Sequence, residues 1–209
     1  RARGRRARGR RARGRRARGR RARKGEGGDA VRLFAAHTLR FYRRSCVPVV
    51  LLTGDVDYRI VDGDAFPWEV HPLKEFNAQY RARFSAGARA LIASRHGTIV
   101  FSAWIATRDL RIDELHFSWT LPAGDAAVYD CVTMPEHRGH GIYTGALRRL
   151  SGLLAEEGFR HLWIYAEEDN AASLRGIEKA DFEFRGSISL RSILGVRRRA
   201  GSVAGVNAS

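Results

Sequence analysis

Between Met134 and Thr144 the chain reads PEHRGHGIY, with TGAL completing the stretch to Leu147. Arg138, Gly139, His140 and Gly141 stand directly before an apolar periodic segment that predicts a helix. The first N–H groups of a helix have no partner within it, and the helix dipole adds partial positive charge at that end. Glycines let consecutive N–H groups converge on an anion, and a neighbouring cation strengthens the attraction. The chemistry of this stretch is that of a diphosphate cradle. Its spacing departs from two common versions. Gly139, Gly141 and Gly145 miss the GxGxxG dinucleotide pattern by one residue, and PEHR separates them from the preceding strand. No GK[ST] follows, which removes a P-loop. His137 and His140 lack further organised ligands, so phosphate contact or plain exposure is expected there and no metal. Cys131 has no partnered histidine and reads as a small core residue.

The cradle needs a strand before it and a helix after it. Residues 126–133 (AAVYDCVT) read as that strand, and Ile142, Tyr143, Ala146, Leu147, Leu150, Leu153 and Leu154 form the apolar stripe of the helix, which Gly158 ends. HLWIYAEE (161–168) is a strand, Asp169 or Asn170 caps a short helix to about Ala180, and FEFRGSISL (182–190) is a closing strand. Upstream, Val31, Phe34, Thr38 and Phe41 recur at helical spacing and predict a helix over 29–44. VPVVLLT (47–53) and DVDYRIV (55–61) read as strands, 62–71 as a loop, and Pro72 opens a helix carrying Leu73, Phe76, Tyr80 and Phe84. Residues 88–94 and 98–107 make a hairpin across an RHG turn, 108–114 is a loop, and 115–121 alternates as a one-sided strand. Trp104, Phe117, Trp119 and Trp163 are expected in the core. The order predicts an α/β fold with a mixed, mostly antiparallel central sheet flanked by helices. The crossover helix makes 126–133 and 161–168 parallel, giving a parallel strand–helix–strand unit.

Composition sets the surroundings. The 209 residues suffice for one domain with a real core, expected over 26–196, with a loose tail over 197–209. The formal charge of +16 is concentrated in residues 1–24, where RARGR repeats four times and 15 Lys and Arg stand without an acid. The rest of the chain carries 23 basic against 22 acidic residues and is not a basic protein. Residues 1–25 are expected to be a disordered arm. Nucleic acid, if bound, would be bound only through residues 1–24; the perfect period, the absence of aromatics and the sole methionine at Met134 favour a translated simple repeat upstream of the true start. Cys46 and Cys131 read as buried free thiols, and no apolar run approaches the ~20 residues of a membrane span. A cytoplasmic location without membrane contact is the expectation.

Two strings in this order carry a family resemblance. V132-T-M-P-E-H-R138-G-H-G141-I resembles motif A of the GNAT acyltransferase superfamily, and N170-A-A-S173-L-R-G-I-E-K-A-D-F182 resembles its later segment. The resemblance covers residues 126–184 and is only topological over 47–121. It implies a GNAT-like fold, an acyl-CoA donor, usually acetyl-CoA, as co-substrate, and a primary amine acceptor. It implies that Val132, Thr133 and Met134 pair with the pantetheine arm, that the backbone from Arg138, Gly139, His140, Gly141 and Ile142 to Tyr143 holds the pyrophosphate, and that Asn170 and Ser173 contact the pantetheine. Asn170 is equally a preferred helix cap. Dimers are common in such folds.

Amide formation from a thioester needs a neutral amine, so a base must take a proton from a group whose free pKa is about 10.4. Asp130, just before the donor-binding stretch, is the first candidate and Glu167 the second. A carboxylate on a half-buried strand also commonly pairs with an arginine. Three positions depart from the family pattern. Tyr143 replaces the last Gly/Ala of motif A, Asp181 replaces the glycine before Phe182, and Ile177 stands where a tyrosine acid is usual. Tyr143, Tyr165 or solvent must then protonate the leaving thiolate. Two competing readings are a nucleic-acid-binding protein working through its arm and a non-catalytic acyl-CoA-binding protein. The acceptor is chosen by segments such as 62–71 and 108–114, where no motif speaks.

Overall fold

The computed structural model describes residues 34–48, 54–193 and 196–206. The arginine-rich repeat, the start of the expected 29–44 helix and most of the expected 47–53 strand lie outside the described residues. In chain order the elements are β1 (Phe34–Ser45), β2 (Val56–Val61), α1 (Asn77–Ser85), β3 (Arg89–Arg95), β4 (Thr98–Ala106), β5 (Asp109–Ile112) and β6 (Phe117–Thr120). Then follow β7 (Asp125–Thr133), α2 (Ile142–Glu156), β8 (His161–Glu167), α3 (Ala171–Lys179), β9 (Glu183–Ile193) and β10 (Val196–Ala200). Eight strands form one sheet in the order β10-β9-β1-β8-β7-β4-β3-β2, and β5 and β6 form a separate pair. Every neighbouring pair in the large sheet is antiparallel except β7–β8, which is parallel as the crossover helix requires. The fold is α/β, with a mixed, mostly antiparallel sheet and flanking helices.

Each face of the sheet is buried by a different kind of cover. On one face Ile142, Ala146, Leu147, Leu150 and Leu154 of α2 recur at helical spacing and pack on Leu91, Phe101, Ile105, Val128, Leu162 and Ile164, with Leu174 and Ile177 of α3 beside them. On the other face the β5–β6 pair lays Leu110, Ile112, Phe117 and Trp119 over Phe41, Trp163 and Ile188. Next to it Tyr80 of α1 joins an aromatic group with Phe66 and Trp104. Trp104, Phe117, Trp119 and Trp163 are all buried, as expected. The β3–β4 hairpin turns on His96 and Gly97, both at positive φ (50° and 78°), which matches the twist of the strands it joins.

Several expectations are corrected. The predicted helix over 29–44 is strand β1, paired on both sides by β8 and β9. Leu39 and Phe41 face the β5–β6 side and Tyr42 the helical side, as alternation along a strand requires. Because both faces of this strand are covered, apolar residues stand at i, i+2 and i+3, which imitates a helix in the sequence. Val47 and Pro48 lie in no regular element. Pro72 opens only a turn; a 3-10 turn over Lys74–Phe76 intervenes before α1. The expected loop 108–114 contains β5 and a 3-10 turn over Asp113–Leu115. The expected loose tail 197–209 is ordered as far as residue 206 among the described residues: β10 pairs with β9, and Val203 and Val206 are buried against the same core as Trp119.

Candidate active site

The parallel pair β7–β8 is in register from Asp125↔His161 to Val128↔Ile164 and no further. Beyond Val128 the two strands part, and β7 is left paired only with β4. Two features bend it away. The β4–β7 register slips between Ser102 and Trp104, and Asp130 has φ +45°, a left-handed conformation that only a few residue types adopt at modest cost. The reversal also breaks the alternation of side chains. Tyr129 packs with the aromatic side near α1, whereas Cys131 packs on the helical face.

A cavity of about 670 Å³ lies on the helical face of this gap. Val132, Thr133, Arg138, Gly139, Gly141, Ile142, Tyr143, Asn170 and Ser173 all line it. Two expected members do not. Met134 is buried and its N–H donates to Val100 O at 3.0 Å, so its backbone donor is already used by β4. His140 is exposed outside the lining, while His137 is within it. Met134 begins a 3-10 turn, Pro135–His137, and Arg138 Nε donates to Thr133 O at 3.1 Å, which draws the guanidinium over the strand end.

The cradle itself is built by two glycines. Gly139 and Gly141 have φ of +79° and +74°, and Gly141 is the residue that caps α2. A Cβ at either position would meet open space, so it is the backbone conformation that calls for glycine there. Among the described residues, no backbone N–H from Gly139 to Thr144 has a protein acceptor. Asn170 caps α3: its Oδ1 accepts from Ser173 N at 3.1 Å, and the residue lines the cavity.

A second cavity of about 180 Å³ adjoins the first, and Cys131, Tyr143, Asn170 and Ser173 border both. Its remaining wall brings together every catalytic candidate read from the sequence: Asp130, Glu167, Tyr143 and Tyr165. Asp130 is ion-paired with Arg83 of α1, and Glu167 Oε1 lies within hydrogen-bond distance, 3.1 Å, of His37 Nδ1 of β1. Tyr143 is held far above its ordinary pKa by burial first and by Cys131 second, with Ser173 opposing through a hydrogen bond. Burial likewise pushes the Cys131 thiol up, so it stays protonated. Cys131 packs against the core and also forms a wall of the site. Cys46 is half-buried and its thiol is raised to about 11, burial being the main cause.

The family model for acetyltransferases of the GNAT family matches residues 57–182, more than half of the chain. The chain belongs to the GNAT acetyltransferase family. No curated protein matches it. Solved structures similar to it include a GNAT acetyltransferase from Colwellia psychrerythraea, with 16% identity and a TM-score of 0.48, covering 72% of this chain and 53% of that one. A GCN5-related N-acetyltransferase from Sphaerobacter thermophilus matches at 15% identity and a TM-score of 0.48, covering 76% and 52%. An aminoglycoside acetyltransferase from an uncultured soil sample matches at 12% and 0.44, covering 60% and 87%. The chain thus spans about half the length of the first two of these.

This GNAT chain also explains its own departures from the motif. Tyr143, at the position of the last small residue of motif A, packs over Gly176 of α3, where any Cβ would lie well inside van der Waals contact with the ring. The large residue on one helix is matched by the absence of a side chain on the other. Ile177, at the usual tyrosine position, is fully buried in the core. Asp181, in place of glycine, keeps the left-handed conformation at φ +62° and takes Arg148 Nε at 3.2 Å. Sequence reading missed Glu114, His37 and Arg83. Glu114 is half-buried in the small cavity and, among the described residues, has no hydrogen-bond or ion-pair partner. It sits in a 3-10 turn that reads as loop. His37 was concealed by the helix expected over β1. Arg83 meets Asp130 across 47 residues, a contact that no local pattern announces.

Proposed function

We propose that the chain is an acyl-CoA-dependent N-acetyltransferase that moves an acetyl group from acetyl-CoA to a primary amine by direct attack on the thioester. One observation carries this reading: the run of backbone N–H groups from Gly139 to Thr144 without protein acceptors, at the mouth of a cleft leading to the parted strands. Diphosphate is the ligand chemistry that such donors suit. Arg138 adds charge beside it, and the Asn170 side chain with the edge of β7 that β8 leaves beyond Val128 suits the amide-rich pantetheine arm.

The thioester then reaches the border between the two cavities, and the amine enters through the smaller one. Asp130, Glu167 and Glu114 concentrate negative charge there, which draws in an ammonium and accepts its proton, directly or through water. Glu114 is the carboxylate best able to take it, because Asp130 and Glu167 already hold Arg83 and His37. The amine nitrogen bonds to the carbonyl carbon, and the developing oxygen charge meets an N–H of the free β7 edge. The C–S bond breaks, and the Tyr143 hydroxyl, kept protonated by its burial, donates to the departing sulfur. The proton taken from the amine restores it through solvent.

Titration of the purified chain with acetyl-CoA in a calorimeter, followed by thiol release with an amine panel, tests the reading. Saturable binding and amine-dependent thiol release are expected. In Tyr143→Phe the rate should fall about tenfold or more with binding retained. Absence of acetyl-CoA binding would end the proposal. Binding with no release for any amine would make the chain an acyl-CoA-binding protein.

A further inference from the structure

On the face of the sheet opposite the cradle, a cleft of about 540 Å³ is lined by α1, the β4–β5 connection and Tyr129. Tyr129 also lines the small cavity, so the two spaces meet at that residue. Arg83 stands at the meeting point. Its side chain is only 19% exposed, and its guanidinium lies over Trp104 at 5.0 Å, Tyr129 at 5.3 Å and Tyr80 at 6.0 Å from the ring centroids. Rings on several sides hold the planar fork in one orientation, so little freedom remains to be lost when a ligand arrives. Asp130, on the small-cavity side, is the sole carboxylate paired with it among the described residues, through one terminal nitrogen. A guanidinium has five N–H donors, and Arg83 lines the cleft with only one terminal nitrogen given to Asp130.

The rest of the cleft points the same way. Arg108 and Arg111 line it with Arg83, against Asp109 and Asp113. Both acids are engaged: Asp113 by Arg111 at 3.1 Å and Asp109 by the Thr120 hydroxyl at 2.8 Å. Arg108 is exposed and, among the described residues, has no carboxylate partner. Three carboxylates thus surround the small cavity, while in the adjoining cleft three arginines stand against two aspartates.

We infer that the acceptor is an amine that also bears an anionic group, its ammonium directed to the small cavity and its carboxylate or phosphate bound by Arg83 with Arg108. The inference rests on the acetyltransferase reading above and adds the class of acceptor. A purely cationic amine gains nothing from the cleft, and a neutral one leaves Arg83 without its second partner.

Two measurements test it. First, with the cradle filled by saturating coenzyme A, inorganic phosphate is titrated against the full chain. A second, one-to-one phosphate site is expected, weakened about tenfold in Arg83→Gln and unchanged in Arg191→Gln on the distant β9. Second, thiol release from acetyl-CoA is compared for matched pairs: glycine with glycinamide and β-alanine with its amide for carboxylates, and phosphoethanolamine with ethanolamine for phosphates. The anionic member of at least one pair should be favoured about tenfold in kcat/KM, chiefly through KM, and Arg83→Gln should erase that preference while leaving acetyl-CoA affinity intact. The pair that responds identifies the anion. Absence of the second phosphate site, equal rates within every active pair, or a preference that survives Arg83→Gln would overturn the inference. Should no pair turn over, the phosphate titration decides it. Failure of acetyl-CoA itself to bind would strike the acetyltransferase reading instead.

Discussion

Asp125 and Asp130 lie on the same strand and have opposite surroundings. Asp125 is 2% exposed, accepts from Trp163 Nε1 at 2.8 Å and lies 2.9 Å from His161 Nδ1. It sits where β7 and β8 are in register, and both partners come from β8. Asp130 sits where β8 has moved away, is half-exposed at 50%, and borders a cavity. One carboxylate is saturated by the neighbouring strand and tightens the sheet; the other is left facing a space that a substrate can enter. The difference is made by strand divergence, not by residue type. A buried acid with its acceptors filled does structural work, while the same group beside a gap is open to a partner from another element, here Arg83.

Perturbing the two ends separately should separate binding from stability. The largest effect is expected at the open end. Gly141→Val forces a β-branched residue to φ near +74°, where strain of about 1–2 kcal/mol reorients the cradle N–H groups. Acetyl-CoA affinity measured by calorimetry should fall about 100-fold, with circular dichroism showing the fold retained; unchanged affinity would remove the cradle from the site. At the closed end, Asp125→Ala strands the Trp163 indole N–H and the His161 ring. Urea denaturation should report a loss of about 3 kcal/mol, with acetyl-CoA affinity of the folded fraction unchanged. Equal effects of both variants on binding would dissolve the contrast.

Two smaller effects sharpen it. Gly176→Ala drives a methyl group into the Tyr143 ring and should cost about 2 kcal/mol in thermal or urea unfolding, most of it recovered in the double variant with Tyr143→Ala. No recovery would mean that the two helices are not matched at this point. On the α1 face, His71 is buried with its Nε2 unpartnered, and burial holds its pKa below the ordinary 6.5, with Glu75 opposing. A folded value below the unfolded one favours the neutral ring in the fold. Stability contributed this way is complete above the unfolded value and declines as pH falls below about 6.5 towards the folded one. His71→Asn should flatten that acid limb by a modest amount in denaturation curves; an identical pH dependence would assign the limb to other groups.

The part of the fold that carries the cradle was legible because its signals are local. The glycines, the stripe of α2, the cap at Asn170 and the parallel crossover all follow from residues close in sequence. The first strand was not legible, because burial on both faces hides its alternation and its partners are more than a hundred residues away. The same reason hid half of the small cavity. Asp130, Glu167 and Tyr143 could be proposed from their places beside the motif, but Arg83, His37 and Glu114 arrive from elements whose pairing only the folded sheet decides. The terminal segment misled for another reason: its three consecutive arginines read as a solvated tail, although they form a strand.

That strand has a consequence of its own. Among the described residues β10 is the outermost member of the eight-stranded sheet, all its residues are exposed, and its outer rim has no strand beside it. Arg197, Arg198 and Arg199 make the approach of an identical copy electrostatically unfavourable, and Arg198 stands directly across from Arg191 in the register. Lengthening of the sheet from one molecule into the next is thereby discouraged, and the solubility of the folded protein should depend on these arginines more than its activity does.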